Sequence, residues 1–163
     1  MRQKLEEKTE AERKAGKVQV FDLSWQDFWT DQRYDLVVAA MIIDHIEELD
    51  PFFKSMYNIL LNDGHLIVSC TNPYYQMLVR HGSVFIDSKA EADDLREGKS
   101  EHGVQAHFHK FADLFNAADR AGFQLDGFQE AVIDEKLAEE FPEIKEQVGM
   151  PHVYSMRFKA VGG

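Results

Sequence analysis

The stretch from Asp35 to Cys70 constrains the fold more than any other part of the chain. After its leading carboxylate, Asp35-Leu-Val-Val-Ala-Ala40 is an unbroken apolar run, the pattern of a strand buried on both faces. Asp44 to Leu61 then places Ile46, Leu49, Phe52, Phe53, Met56, Ile59 and Leu60 at gaps of three and four, the spacing of an amphipathic helix. Asn62-Asp63-Gly64 ends that helix with turn chemistry, and His65-Leu-Ile-Val-Ser-Cys70 supplies a second short buried strand. Strand, helix and strand with a tight connection make a βαβ unit, hence a parallel sheet carrying helices on its faces.

The flanking segments extend this unit. Met1 to Lys17 is rich in Glu, Lys, Arg and Ala and stops at Gly16, which describes a mostly solvated helix. Val18-Gln-Val-Phe21 alternates as a short strand ending at Asp22, and Ser24 to Phe28 reads as a helical turn. Tyr74, Tyr75, Met77 and Leu78 imply a helix after Pro73, followed by a polar loop or insertion from Ser88 to Gly103. Lys110 to Ala121 is amphipathic and closed by Gly122. The strand Phe123–Phe128, an acidic helix over Asp134–Gln147 and a last strand over Pro151–Val161 complete the chain. The expected organisation is one domain over 1–163: an N-terminal helix over 1–17, a βαβ core over 18–70, a variable substrate-side region over 71–109, and a C-terminal helix and strands over 110–161.

Composition narrows the function classes. The 163 residues are 44% hydrophobic and carry a formal charge of -11, which suffices for one core and argues against a broad phosphate-binding face. Nucleic acid is therefore not an expected partner. The longest apolar stretch, Leu36 to Ile43, is half the length of a membrane helix, so no membrane partner is expected either. The first sixteen residues lack the apolar core of a secretory signal, and the single cysteine, Cys70, suits a reducing compartment. Both features lead to a cytoplasmic expectation, with Cys70 acting as a small buried hydrophobe.

Read in order, several segments resemble the class I S-adenosylmethionine-dependent methyltransferases. Tyr34-Asp-Leu-Val-Val-Ala-Ala-Met-Ile-Ile-Asp-His45 is similar to that family's fourth strand and the loop after it. Ile59-Leu-Leu-Asn-Asp-Gly-His-Leu-Ile-Val-Ser69 resembles its fifth-strand segment, with Asn62-Asp63-Gly64 in place of proline-glycine-glycine. Phe111-Ala-Asp-Leu-Phe-Asn-Ala-Ala-Asp-Arg-Ala-Gly-Phe123 is similar to the helix before strand six, and Glu130 followed by Pro142, Pro151 and Val153-Tyr-Ser-Met-Arg-Phe158 to the tail of many small-molecule members.

The resemblance implies an α/β, truncated Rossmann-like fold: a mostly parallel sheet with an antiparallel last strand, and with strands one and two absent. The family opens with a strand, a glycine-rich turn and a second strand ending in an acid. No GxG occurs in these 163 residues. In the family order three, two, one, four, five, seven, six, the missing pair would leave Val18–Phe21 about 14 Å from Leu36–Ala39, given ~4.8 Å between neighbouring strands. Such a gap exposes unpaired backbone. Either the third strand slides over to pair with the fourth, or another chain covers the edge, and a homodimer through that edge is the expectation.

The cofactor implied is S-adenosylmethionine and the partner a small-molecule substrate. By the resemblance, Asp22 meets the adenine amino group, Leu23 adds a neighbouring contact, and Ala39, Ala40 and Met41 lie beside the cofactor. His45, Tyr74, Tyr75, His107 and His109 fall where the family contacts substrate. Plain alternatives stand beside each of these: Asp22 capping the Ser24 turn, His45 packing near a helix start, and Tyr74 and Tyr75 filling the core. His107-Phe-His109 on a strand would set two imidazoles on one face, but no third ligand has diagnostic spacing, so no metal site is expected. The competing function is a non-catalytic methyltransferase-like binding or dimerisation module that has lost its cofactor site.

Overall fold

Among the described residues four strands form one sheet in the order β1-β2-β4-β3: β1 Tyr34–Ala40, β2 Leu60–Thr71, β3 Phe123–Val132 and β4 Pro151–Ala160. The computed structural model describes residues 2–81 and 107–162, so the loop expected from Ser88 to Gly103 lies outside the described residues. β1 runs parallel to β2, whereas β4 is antiparallel to both β2 and β3. This is the expected mostly parallel arrangement with one reversed final strand.

Among the described residues six α-helices accompany the sheet: α1 Arg2–Lys8, α2 Glu10–Lys14, α3 Leu49–Asn58, α4 Pro73–His81, α5 Phe111–Ala121 and α6 Glu135–Glu140. The helix expected over Asp44–Leu61 is shorter at both ends. Pro51 fits only the first turn of a helix, which puts the start at Leu49, and Asp44 and His45 lie instead in a 3-10 turn, Ile43–His45. At the other end Leu60 is already in β2. The acidic helix over Asp134–Gln147 is likewise divided. Asp134 caps α6 by accepting from the Leu137 amide at 2.8 Å, and Pro142 then opens a 3-10 segment, Pro142–Gln147.

The core lies on one face of the sheet. Leu66, Val68 and Cys70 of β2 and Tyr154, Met156 and Phe158 of β4 pack beneath α3 and α5. Phe53 of α3 is its centre, meeting Phe52, Phe158 and Phe123 edge-on at 5.4, 5.6 and 6.2 Å. Each fully buried side chain of this size contributes roughly 1.5–3 kcal/mol. Gly64 allows the β1–β2 entry to close: a Cβ there would lie 2.9 Å from the Leu61 carbonyl oxygen and 3.1 Å from that of Tyr34.

Among the described residues no helix covers the part of the opposite face that carries Leu36 and Val38, and the outer edge of β1 has no strand beside it. Leu36 is 51% and Val38 58% exposed, and the register sets His65 and Ile67 of β2 and Arg157 and Lys159 of β4 alongside them. Among the described residues the ladder partner of β1 is β2 alone. The strand expected at Val18–Phe21 does not form; those residues are irregular. A lone strand has no neighbour to satisfy its backbone groups, and among the described residues this segment pairs with no strand, β1 included.

Candidate site at the carboxyl ends of β1 and β2

β1 and β2 are parallel and end side by side, the position at which open α/β sheets bind ligands. At the end of β1 the backbone turns sharply: Met41 has φ 55°, and its amide donates to the Ser69 carbonyl at 2.7 Å. Ala39 is buried and Ala40 exposed, so neither puts more than a methyl group at the strand end. The 3-10 turn follows directly, with the His45 amide donating to the Ile42 carbonyl at 2.9 Å.

Residues far along the chain return to this turn. The His107 amide donates to the Asp44 main-chain carbonyl at 2.7 Å, and a ring nitrogen of His109 lies 2.6 Å from the Ile46 carbonyl. A carbonyl only accepts, so Nε2 of His109 carries the proton and donates. Burial holds the His109 pKa below the ordinary imidazole value. The two imidazoles stack at 6.5 Å, although they sit on an irregular segment and not on a strand. Among the described residues no group of three His, Cys, Asp or Glu side chains could hold a metal ion.

The expected residues separate into groups. Ala40, Met41, His45, His107 and His109 gather on the β1 end and its turn. Tyr74 packs edge-on to Phe111 at 5.6 Å, and Phe111 meets Tyr154 at 5.1 Å. Tyr75 is engaged elsewhere, donating its hydroxyl to Gln147 Oε1 at 2.5 Å with its ring against His152. Asp22 and Leu23 lie exposed in the segment before the Ser24 turn. Ser24 and Asp27 close that turn themselves, Oγ to Oδ2 at 2.9 Å. The segment is anchored by Trp25 against Phe52 at 5.5 Å.

Further polar residues are concentrated here, among them Asp44, Asn72 and Tyr154, which sequence reasoning did not single out. Among the described residues Asp44 Oδ1 is buried with no hydrogen-bond partner, and His45 Nε2 stands within ion-pair distance of it at 3.8 Å. Burial, with the Asp44 charge alongside, pushes the Cys70 thiol up to about 11. Burial, with Cys70 and Asp44 nearby, raises Tyr154 well above the ordinary phenol range. Asn72 is fully buried at the end of β2. The available signal was positional: Asp44 and Asn72 each follow an apolar strand within a few residues, where a polar side chain has no core to fill. A cleft of ≈ 240 Å³ has His109 on its wall with Glu47, Asp50 and Arg120. A larger one of ≈ 570 Å³ between α6 and the following turn contains none of the strand-end residues.

Residues 1–68 match the sequence profile of the methyltransferase domain family. In structure, the chain is similar to an S-adenosylmethionine-dependent methyltransferase from Mesorhizobium loti at 19% identity, covering 94% of this chain and 76% of that one with a TM-score of 0.64. A second such enzyme, from Clostridium acetobutylicum, matches at 12% identity over 99% of this chain and 73% of that one, with a TM-score of 0.66. The fold is that of a class I methyltransferase. A cyclopropane synthase from Mycobacterium tuberculosis shares it at 16% identity, 90% and 64% coverage and a TM-score of 0.56. No curated protein matches the chain in sequence.

The Mesorhizobium loti and Clostridium acetobutylicum proteins are S-adenosylmethionine-dependent methyltransferases, so S-adenosylmethionine is the group against which this site is compared. The residues present fit part of it. The short side chains of Ala39 and Ala40 leave room, exposed Leu23 and Met41 offer apolar surface, and Asp22 offers a carboxylate. The glycine-rich turn that approaches the cofactor elsewhere in the fold class has no counterpart in these 163 residues.

Proposed function

We propose that this chain takes part in S-adenosylmethionine-dependent methylation of a small-molecule acceptor at the ends of β1 and β2. The carrying observation is the convergence of Ala40, Met41, His45, His107 and His109 on the carboxyl end of a parallel strand pair. When bound, the cofactor supplies a methyl group on a sulfonium. The protein's own part is to position donor and acceptor and to exclude water. Asp22 would accept from the adenine amino group beside Leu23, while Ala39, Ala40 and Met41 border the cofactor. His45, Tyr74, His107 and His109 would line the acceptor's side, with Tyr75 behind them. Calorimetric titration with S-adenosylmethionine tests the reading: saturable binding at micromolar strength is expected, and the absence of heat across the titration contradicts it.

The same reading includes a cytoplasmic protein that associates through the bare β1 edge. A two-fold axis at Val37 would pair β1 antiparallel with a second copy and set Leu36 opposite the partner's Val38. That pairing covers both exposed apolar side chains and satisfies the open edge. Neither Lys nor Arg nor a like-charge pair is brought together, because Asp35 faces the partner's Ala39. Light scattering behind size exclusion should give a dimer, converted to monomer by Val38→Lys; a monomeric wild type contradicts this interface. The charge of -11 supports a small-molecule acceptor over a nucleic acid.

A further inference from the structure

We propose that the cleft between α6 and the 3-10 segment after it is a second binding site, for a free amino acid with an apolar side chain. This cleft shares no residue with the strand-end site, and the inference does not depend on cofactor binding. Its volume of ≈ 570 Å³ falls within the range of small-molecule pockets, about 300–1,000 Å³. Both walls are regular faces. Glu135, Ala138 and Glu139 are three and four residues apart and share one side of α6. Pro142, Lys145 and Val148 are spaced by three, one per turn of a 3-10 helix, and align on the other wall.

The charges on these walls do not neutralise each other. Among the described residues no ion pair joins Lys145 to Glu135 or Glu139, so opposite charges face one cleft without meeting. Between them lie the apolar side chains of Ala138, which is buried, and of Pro142 and Val148, the last 43% exposed. An ammonium group suits the glutamate wall, a carboxylate suits Lys145, and an apolar body covers Val148 and Pro142. An apolar amino acid carries all three. The walls are also set in advance. The Ile133 amide donates to the Met150 carbonyl at 3.0 Å and the Gly149 amide to the Ile133 carbonyl at 2.8 Å, closing the base of the excursion. Asp134 caps α6, and Gln147, between Lys145 and Val148, accepts from the Tyr75 hydroxyl. A preformed cleft lowers the ordering cost of binding.

Phenylalanine, phenethylamine (which lacks the carboxylate) and hydrocinnamate (which lacks the ammonium) would each be titrated into methyl-labelled protein, following the Ala138 and Val148 methyl resonances. The same titrations would be run on Lys145→Met and on Glu135→Gln combined with Glu139→Gln. These three side chains are exposed, so the variants keep the fold. A ligand of this size should bind at about millimolar strength. Saturable shifts with phenylalanine and about fivefold weaker binding of each analogue are expected. The advantage over phenethylamine should vanish in Lys145→Met, and that over hydrocinnamate in the paired glutamine variant.

No saturable shift at Ala138 and Val148, equal binding of the three compounds, or phenylalanine affinity unchanged in both variants overturns the proposal. Shifts confined to residues 39–46 would place the amino acid at the strand ends and overturn it equally. Cofactor binding plays no part in this readout, so failure of the methyltransferase reading would leave the second site standing.

Discussion

The Asn72 side chain spans the sheet from the end of β2 to Glu130 of β3, its Nδ2 donating to Oε1 at 2.5 Å while its own carbonyl oxygen accepts from the Tyr74 amide at 3.0 Å. β4 lies between those strands, and the Asn72 amide also donates to its His152 carbonyl at 2.8 Å. One buried residue thus fixes the start of α4 and the spacing of three strands at the site. Asn72→Ala leaves the Tyr74 amide and the Glu130 carboxylate short of a partner, and should lower stability by about 1–3 kcal/mol. Urea unfolding with an unchanged slope and a lower midpoint would show it.

Phe53 touches three other phenylalanine rings at the centre of the core beneath α3 and α5. Phe53→Ala should cost about 3–5 kcal/mol, because rings on two strands and a helix cannot all collapse into one void. Thermal unfolding followed by near-ultraviolet circular dichroism should show a lower midpoint or loss of cooperativity.

Gly122 ends α5 with φ 97°, and a Cβ there would lie 2.9 Å from the Tyr57 ring. That tyrosine also donates its hydroxyl to the Val161 carbonyl at 2.8 Å, so the ring has a reason to stay. Gly122→Ala should destabilise by about 1–2 kcal/mol from the left-handed backbone alone, with the clash adding to it. Chemical denaturation of the variant measures the sum.

Stability should fall on both sides of neutrality, for different groups. His109 has its folded pKa lowered by burial, so the unfolded chain takes up its proton first; its contribution is complete above about 6.5 and is lost as pH falls below that value. Cys70 has its folded pKa raised from 9.0 to about 11. Here the unfolded chain releases its proton first, so stability declines as pH rises from 9 towards 11. Urea midpoints from pH 5 to 11 test both limbs, and His109→Gln should flatten only the acidic one. Native Cys70 should also resist thiol labelling at pH 8 and react once unfolded.

Much of the fold was legible because the Asp35–Cys70 pattern switches period cleanly, from an apolar run to a 3–4 repeat and back. The strand at Val18–Phe21 was not, since local alternation says nothing about whether a neighbouring strand exists to pair with it. The start at Asp44 shifted, and the helix from Asp134 was divided, because prolines 51 and 142 decide where a helix begins or breaks, against the longer apolar repeat. Ala40, Met41 and His45 are near one another in sequence, so their proximity at the end of β1 was readable. The return of His107 and His109 to Asp44 and Ile46 depends on tertiary closure and leaves no local mark. Asp44 resembled a helix start, and only the structure shows its buried oxygen beside His45.

Hydrogen–deuterium exchange with saturating S-adenosylmethionine tests the central claim most directly. Protection is predicted at residues 21–24 and 39–46, the two segments that would border the cofactor. Unchanged exchange at 39–46, or protection confined to surfaces away from the ends of β1 and β2, would contradict the account.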